Sequence, residues 1–182
     1  MDDARPPRPT ALDASLARRG AALAYEALLY AALVLVVGFL TIPLVPPAPA
    51  GAPGLRVPDL PARVLSFALV FGAGAAYYAA NWTRGRRTLA MKTWHLRLVR
   101  DDGAQVDVRT ALVRYLAAWI GPALALALYV ALRPYGLGAH ALWLVALNFL
   151  WAFIDPAGRF LHDRVAGTRI VREDPPGVPS KG

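Results

Sequence analysis

The chain has 182 residues, of which 57% are apolar and only 18% charged, and it contains no cysteine. Mean hydropathy is +0.39 and the pI is near 10.4. Disulfides, thiolate metal sites and cysteine nucleophiles are therefore excluded. The net charge of +8 invites a nucleic-acid reading, but its distribution argues against one. The basic residues form collars around apolar runs, not one stripe on a polar face. Too little polar sequence remains to wrap those runs inside a water-soluble shell.

In chain order, residues 1–17 are proline- and charge-rich and are expected to be disordered. Four stretches then nearly lack charge: 20–42, 64–80, 115–132 and 136–154. Each approaches the roughly 20 residues that a helix needs to cross about 30 Å of hydrocarbon. The second is at the short limit. The first is followed by Ala48-Pro49-Ala50, a small-x-small pattern. Its apolar run is too long for a signal-peptide core and contains Glu26, so it is expected to be retained as a span. A loop with seven prolines between Pro43 and Pro61 follows, expected to be an extended spacer. In the second span, Ala68, Gly72, Ala76 and Ala80 make a small-residue ridge suited to close helix contact.

Beyond the second span, Thr88 can cap a single helical turn ending at Lys92. Trp94, Leu96 and Leu98 alternate with His95, Arg97 and Val99, the period of a strand, before the turn residues Asp101-Asp102-Gly103. Asp107 or Thr110 can cap the third span. Gly121-Pro122 should kink it, because Pro122 cannot donate to the carbonyl of Ala118. Asn148 is a polar residue in the fourth span, suited to bonding between helices. Residues 173–182 are expected to be disordered.

The basic residues define sides. Seventeen of the 20 fall at the N-terminus, between the second and third spans, or in the tail. The positive-inside rule puts that side, with both termini, in the cytoplasm of a multi-pass cell-membrane protein. Its basic face should attract anionic lipid headgroups.

A repeat is also visible. "LAMKTWHLRLVRDD" (89–102) aligns with "LHDRVAGTRIVRED" (161–174) at an offset of 72. Six consecutive positions from Arg97 onward are alike. Arg19 opens the first span as Arg114 opens the third. The expected fold is an all-α membrane protein. Four transmembrane helices form two repeated hairpins, each followed by a cytoplasmic amphipathic segment and a short strand. A two-fold axis along the membrane normal would make the two strands meet antiparallel. The domain is expected over residues 18–172.

Candidate functional residues are few. Glu26 lies about 9 Å inside the first span at 1.5 Å per residue. It can serve as a proton- or cation-linked carboxylate, or hold an ion pair that fixes helix packing. Asp163 is a candidate partner for Arg19 or Arg114 at the helix bases. His162 beside it could titrate near neutral pH. Three scattered histidines make no metal site, and no cofactor motif or nucleophile–base pair points to an enzyme. Four helices leave little room for an aqueous path, so transport would call for a homodimer.

Three segments carry a resemblance: "RRGAALAYE", "TLAMKTWHLRLV" and "LHDRVAGTRIV". They resemble the RDD family of small integral membrane proteins over most of the chain. The resemblance implies that the family's namesake arginine and two aspartates fall on Arg19 (or its neighbour Arg18), Glu26 and Asp163. Glu26 replaces the family's usual aspartate, and Ala90-Met91 its usual Gly-Lys. The literal Arg100-Asp101-Asp102 is only a turn. For function the resemblance implies a possible cation- or proton-linked transporter component. The alternative is a non-transporting membrane scaffold or assembly partner.

Overall fold

The computed structural model of the chain describes residues 14–44 and 58–173. Most of the proline loop and nearly all of both expected disordered ends lie outside the described residues. Helix α1 spans Leu16–Thr41 and begins on Ser15, whose side chain accepts from the Arg18 amide. Ordered helix thus starts four residues before the expected span. Helix α2 runs Leu60–Trp82, with Asp59 as N-cap and Pro61 in the first turn. Its helical ends extend beyond the 17-residue apolar run, and α2 reaches a spanning length.

Thr88 caps a short helix α3, Leu89–Thr93, as expected, by accepting from the Met91 amide. Strand β1, Leu96–Arg100, follows. Asp107 then caps helix α4, Val108–Ala118, accepting from the Thr110 amide at 2.7 Å. Helix α5, Ile120–Leu132, continues it after a break at Trp119. The break sits where Pro122 removes a donor. The freed carbonyl of Ala118 is taken by the side chain of Asn148, whose Nδ2 donates at 2.7 Å. The kink residue and the polar residue of the fourth span are therefore two halves of one bond.

The fourth apolar segment departs from expectation. It is not a continuous α-helix over 136–154. A 3-10 stretch covers Gly138–Ala146, one α-helical turn (α6) covers Leu147–Leu150, and a 3-10 turn covers Trp151–Phe153. A 3-10 helix rises about 2.0 Å per residue, so these few residues still reach about 30 Å. Close packing on α5 accompanies this geometry. A Cβ on Gly121 would lie 2.6 Å from the Leu144 carbonyl, and one on Gly138 3.0 Å from that of Tyr129. Three helices are long and apolar enough to cross a membrane by themselves: Leu16–Thr41, Leu60–Trp82 and Val108–Tyr135.

Helix α7, Leu161–Ala166, ends on Gly167 in the left-handed region, and strand β2 covers Thr168–Arg172. The two strands pair antiparallel, Leu96 opposite Arg172 and Leu98 opposite Ile170. Their inward side chains, with Val106, Ala111, Met91 and Trp82, make a small core under the helices. Above it, Phe71, Tyr78, Tyr115 and Trp119 stack between α2 and α4. Gly74 allows this contact, since its Cβ would lie 2.7 Å from the Tyr115 hydroxyl. Ala68, Gly72, Ala76 and Ala80 of the small-residue ridge, by contrast, are all exposed, and a Cβ on Gly72 would meet nothing within 4 Å. Large apolar side chains are also exposed on the long helices, among them Leu28, Leu40, Phe67 and Leu126. Such surface is stable against hydrocarbon, not water.

Candidate functional site

The bases of α1, α4 and α7 bring four of the five candidate residues together, and Glu26 faces the same space from deeper in α1. Arg114 is the hub. Its Nε donates to Asp163 Oδ1 at 2.7 Å, and both side chains are almost fully buried. Its guanidinium lies over the Trp82 ring at 4.2 Å. Its Nη2 is 3.2 Å from His162 Nε2. Arginine cannot accept, so His162 Nε2 must be the unprotonated nitrogen. Thr168 adds a hydroxyl donor to Asp163 Oδ1 at 3.2 Å.

Burial raises the Asp163 carboxyl, but the Arg114 charge and its hydrogen bond outweigh burial and hold it below the usual carboxylate range. Burial pushes His162 the other way, down to about 4, and the Arg114 charge reinforces this against the pull of Asp163. The expectation that His162 titrates near neutral pH is therefore overturned. It is neutral at pH 7, because its surroundings are dry and its nearest neighbour is a cation.

Arg19 takes no part in this pair. It lies on the face of Phe160, 5.3 Å from the ring centre, and its Nε is buried without an acceptor. Of the two partners considered for Asp163, Arg114 is the one it has. Arg18, one residue earlier, is only partly buried.

Glu26 is half-buried. Its Oε1 accepts from the Tyr77 hydroxyl at 3.2 Å. Thr88 adds a second side-chain hydrogen bond, the Arg114 charge acts on it from across the same space, and it forms no ion pair among the described residues. Tyr77 was not singled out in the sequence; the tyrosines at 77 and 78, inside a run of small residues, were the available signal. Glu26 opens on a cavity of about 270 Å³ between α1, α2 and α4. Arg19, Met91, Tyr78, Arg114 and His162 also line it, on otherwise apolar walls.

A second ion-pair system was also missed. Asp155 accepts from the backbone amides of Ala157 and Arg159 at 3.1 and 3.0 Å. Arg159 in turn holds both oxygens of Asp101 at 3.1 and 3.0 Å. The turn after β1 is thereby tied to the segment before α7. No group of three or more histidine or acidic residues is placed to hold a metal among the described residues.

Long apolar helices with lipid-type surfaces, closed at one end by a buried Arg–Asp pair, define an integral membrane protein. The RDD family profile matches residues 13–167, most of the chain. The chain belongs to the RDD family. Comparison with curated proteins and with solved structures returned no match.

Proposed function

We propose that the protein is a proton- or cation-linked component of membrane transport, non-enzymatic, with Glu26 as the group that carries charge. The carrying observation is the state of Glu26. It is a carboxylate on a membrane-type helix, facing a cavity, held by the hydroxyls of Tyr77 and Thr88 and forming no ion pair among the described residues. A structural acid at that depth would be expected to have a salt-bridge partner. Arg114, the nearest candidate, is committed to Asp163. The family's usual lysine stands here as Met91, which lines the same cavity, so that cation is missing as well.

The rest of the reading is architectural. Both termini are cytoplasmic, four apolar segments cross a cell membrane, and the basic face meets anionic lipid. Two units of hairpin, short helix and strand make up the domain. Their relation is supported by the strand register. The central pair is Leu98 with Ile170, the two positions equivalent at an offset of 72, and α3 and α7 begin at Leu89 and Leu161. A homodimer would complete an aqueous path.

The test is flux in proteoliposomes under cation and pH gradients. Glu26→Gln is expected to abolish flux and leave the melting temperature in detergent unchanged, since no ion pair is broken. Glu26→Asp should stay active. Normal flux in the Gln variant would refute the reading. The scaffold alternative has one observation in its favour, the ridge Ala68, Gly72, Ala76 and Ala80, which is exposed and thus open to another helix. Absence of flux in the wild type would favour it.

A further inference from the structure

The geometry points to a second site: we propose that Arg19, Arg159 and Arg169 bind a phosphate oxyanion, supplied by a phospholipid headgroup. These residues line a polar cavity of about 270 Å³, together with Asp101, Ala157 and Ile170. Three guanidinium groups thus face one carboxylate. That carboxylate is already held at both oxygens by Arg159.

Arg19 and Arg169 are left over. Arg19 is only 8% exposed and, among the described residues, forms no ion pair and has its Nε enclosed without an acceptor. Arg169, on β2, likewise has its Nε buried without an acceptor. A buried cation with no counter-charge is costly, and a guanidinium fork matches phosphate oxygens in spacing and charge. Arg19 is such a cation, and the half-buried Arg169 brings a second enclosed Nε to the same cavity from a different element, which together make a built site for an anion. Gly158 widens it. Its φ is +62°, and a Cβ there would meet Arg19 Nη2 at 3.4 Å.

The depth favours a lipid. Arg19 lies in the first turn of α1, at the end of a long apolar helix, where headgroups meet protein. Arg19 and Ile170 also line the apolar cavity described above. Hydrocarbon of the same molecule therefore has an apolar surface beside its headgroup. This site is independent of the transport reading, and its test measures no flux.

The full-length protein in neutral detergent would be titrated with phosphatidylglycerol, diacylglycerol and inorganic phosphate. Bound molecules are counted by native mass spectrometry, and the melting temperature is followed in parallel. One phosphatidylglycerol per protomer should bind and raise the melting temperature, and diacylglycerol, which lacks phosphate, should not. Arg19→Gln and Arg169→Gln should each weaken binding at least tenfold, as expected for losing a charged contact, about 1.4 kcal/mol per decade. Arg133→Gln, at the other end of α5, should not. Should Arg19→Gln fail to fold, Arg169→Gln carries the test. Binding of inorganic phosphate alone, with the same variant pattern, would support the site and assign it a soluble source. Binding of neither, or equal weakening by Arg133→Gln, would overturn the proposal.

Discussion

His162 and Asp163 are adjacent in sequence but have opposite relations to pH. An unfolded histidine protonates near pH 6.5, whereas the folded one resists until about 4. Stability from neutral His162 is therefore fully present above about pH 6.5 and lost as pH falls toward 4, on the order of 3 kcal/mol in all. Asp163 is depressed instead, so its contribution is present above the ordinary carboxylate pKa and lost only at lower pH. The two windows barely overlap. Melting in detergent between pH 8 and 4.5 should fall with a slope that His162→Gln removes. An unchanged slope in His162→Gln would assign the effect elsewhere. Asp163→Asn should strand Arg114 as a buried cation and destabilise by roughly 3–5 kcal/mol, seen as a lowered melting temperature. Arg114→Leu combined with it should recover part of the loss. If Asp163→Asn melts normally, the pair does not hold the helix bases together.

At the scale of elements, the decisive feature is how the third and fourth apolar segments lock. Pro122 orphans the Ala118 carbonyl and Asn148 satisfies it at 2.7 Å. Asn148→Leu should cost about 1–3 kcal/mol by leaving that acceptor buried and unpaired. In a Pro122→Ala background, where the backbone amide returns, the same change should cost distinctly less. Additive losses in thermal melts of the four proteins would rule out the shared carbonyl. Gly121 belongs to the same contact. Gly121→Ala would drive a Cβ to 2.6 Å from the Leu144 carbonyl and should destabilise by about 1–3 kcal/mol through overpacking. Gly72→Ala, with nothing within 4 Å, should be nearly neutral within one protomer, and a large effect there would reveal a partner on that face.

For the whole molecule, orientation is the property on which the functional reading depends. Cysteine placed at Ala52 should label from outside intact cells, and at Ser180 only after permeabilisation. The reverse pattern would remove the cytoplasmic assignment of the basic face.

The apolar helices, Thr88 and Asp107 as caps, and the strand segments were legible in the sequence, because each rests on local composition, capping chemistry or periodicity. What lay beyond the sequence is pairing across distance. Arg19 and Arg114 each precede an apolar run in the sequence, yet only Arg114 has Asp163. Met91, which aligns with Asp163 at the offset of 72 in the sequence, is buried too but cannot accept a charge-assisted hydrogen bond. Whether Glu26 had a cation, whether Asn148 met Pro122's orphan carbonyl, and whether the fourth segment would stretch into a 3-10 helix depended on which neighbours arrived within 3 Å. Periodicity reports the face that a residue occupies. Only the packed chain decides what stands opposite that face, and in a dry interior this sets the charge, the protonation and the partner of each polar group.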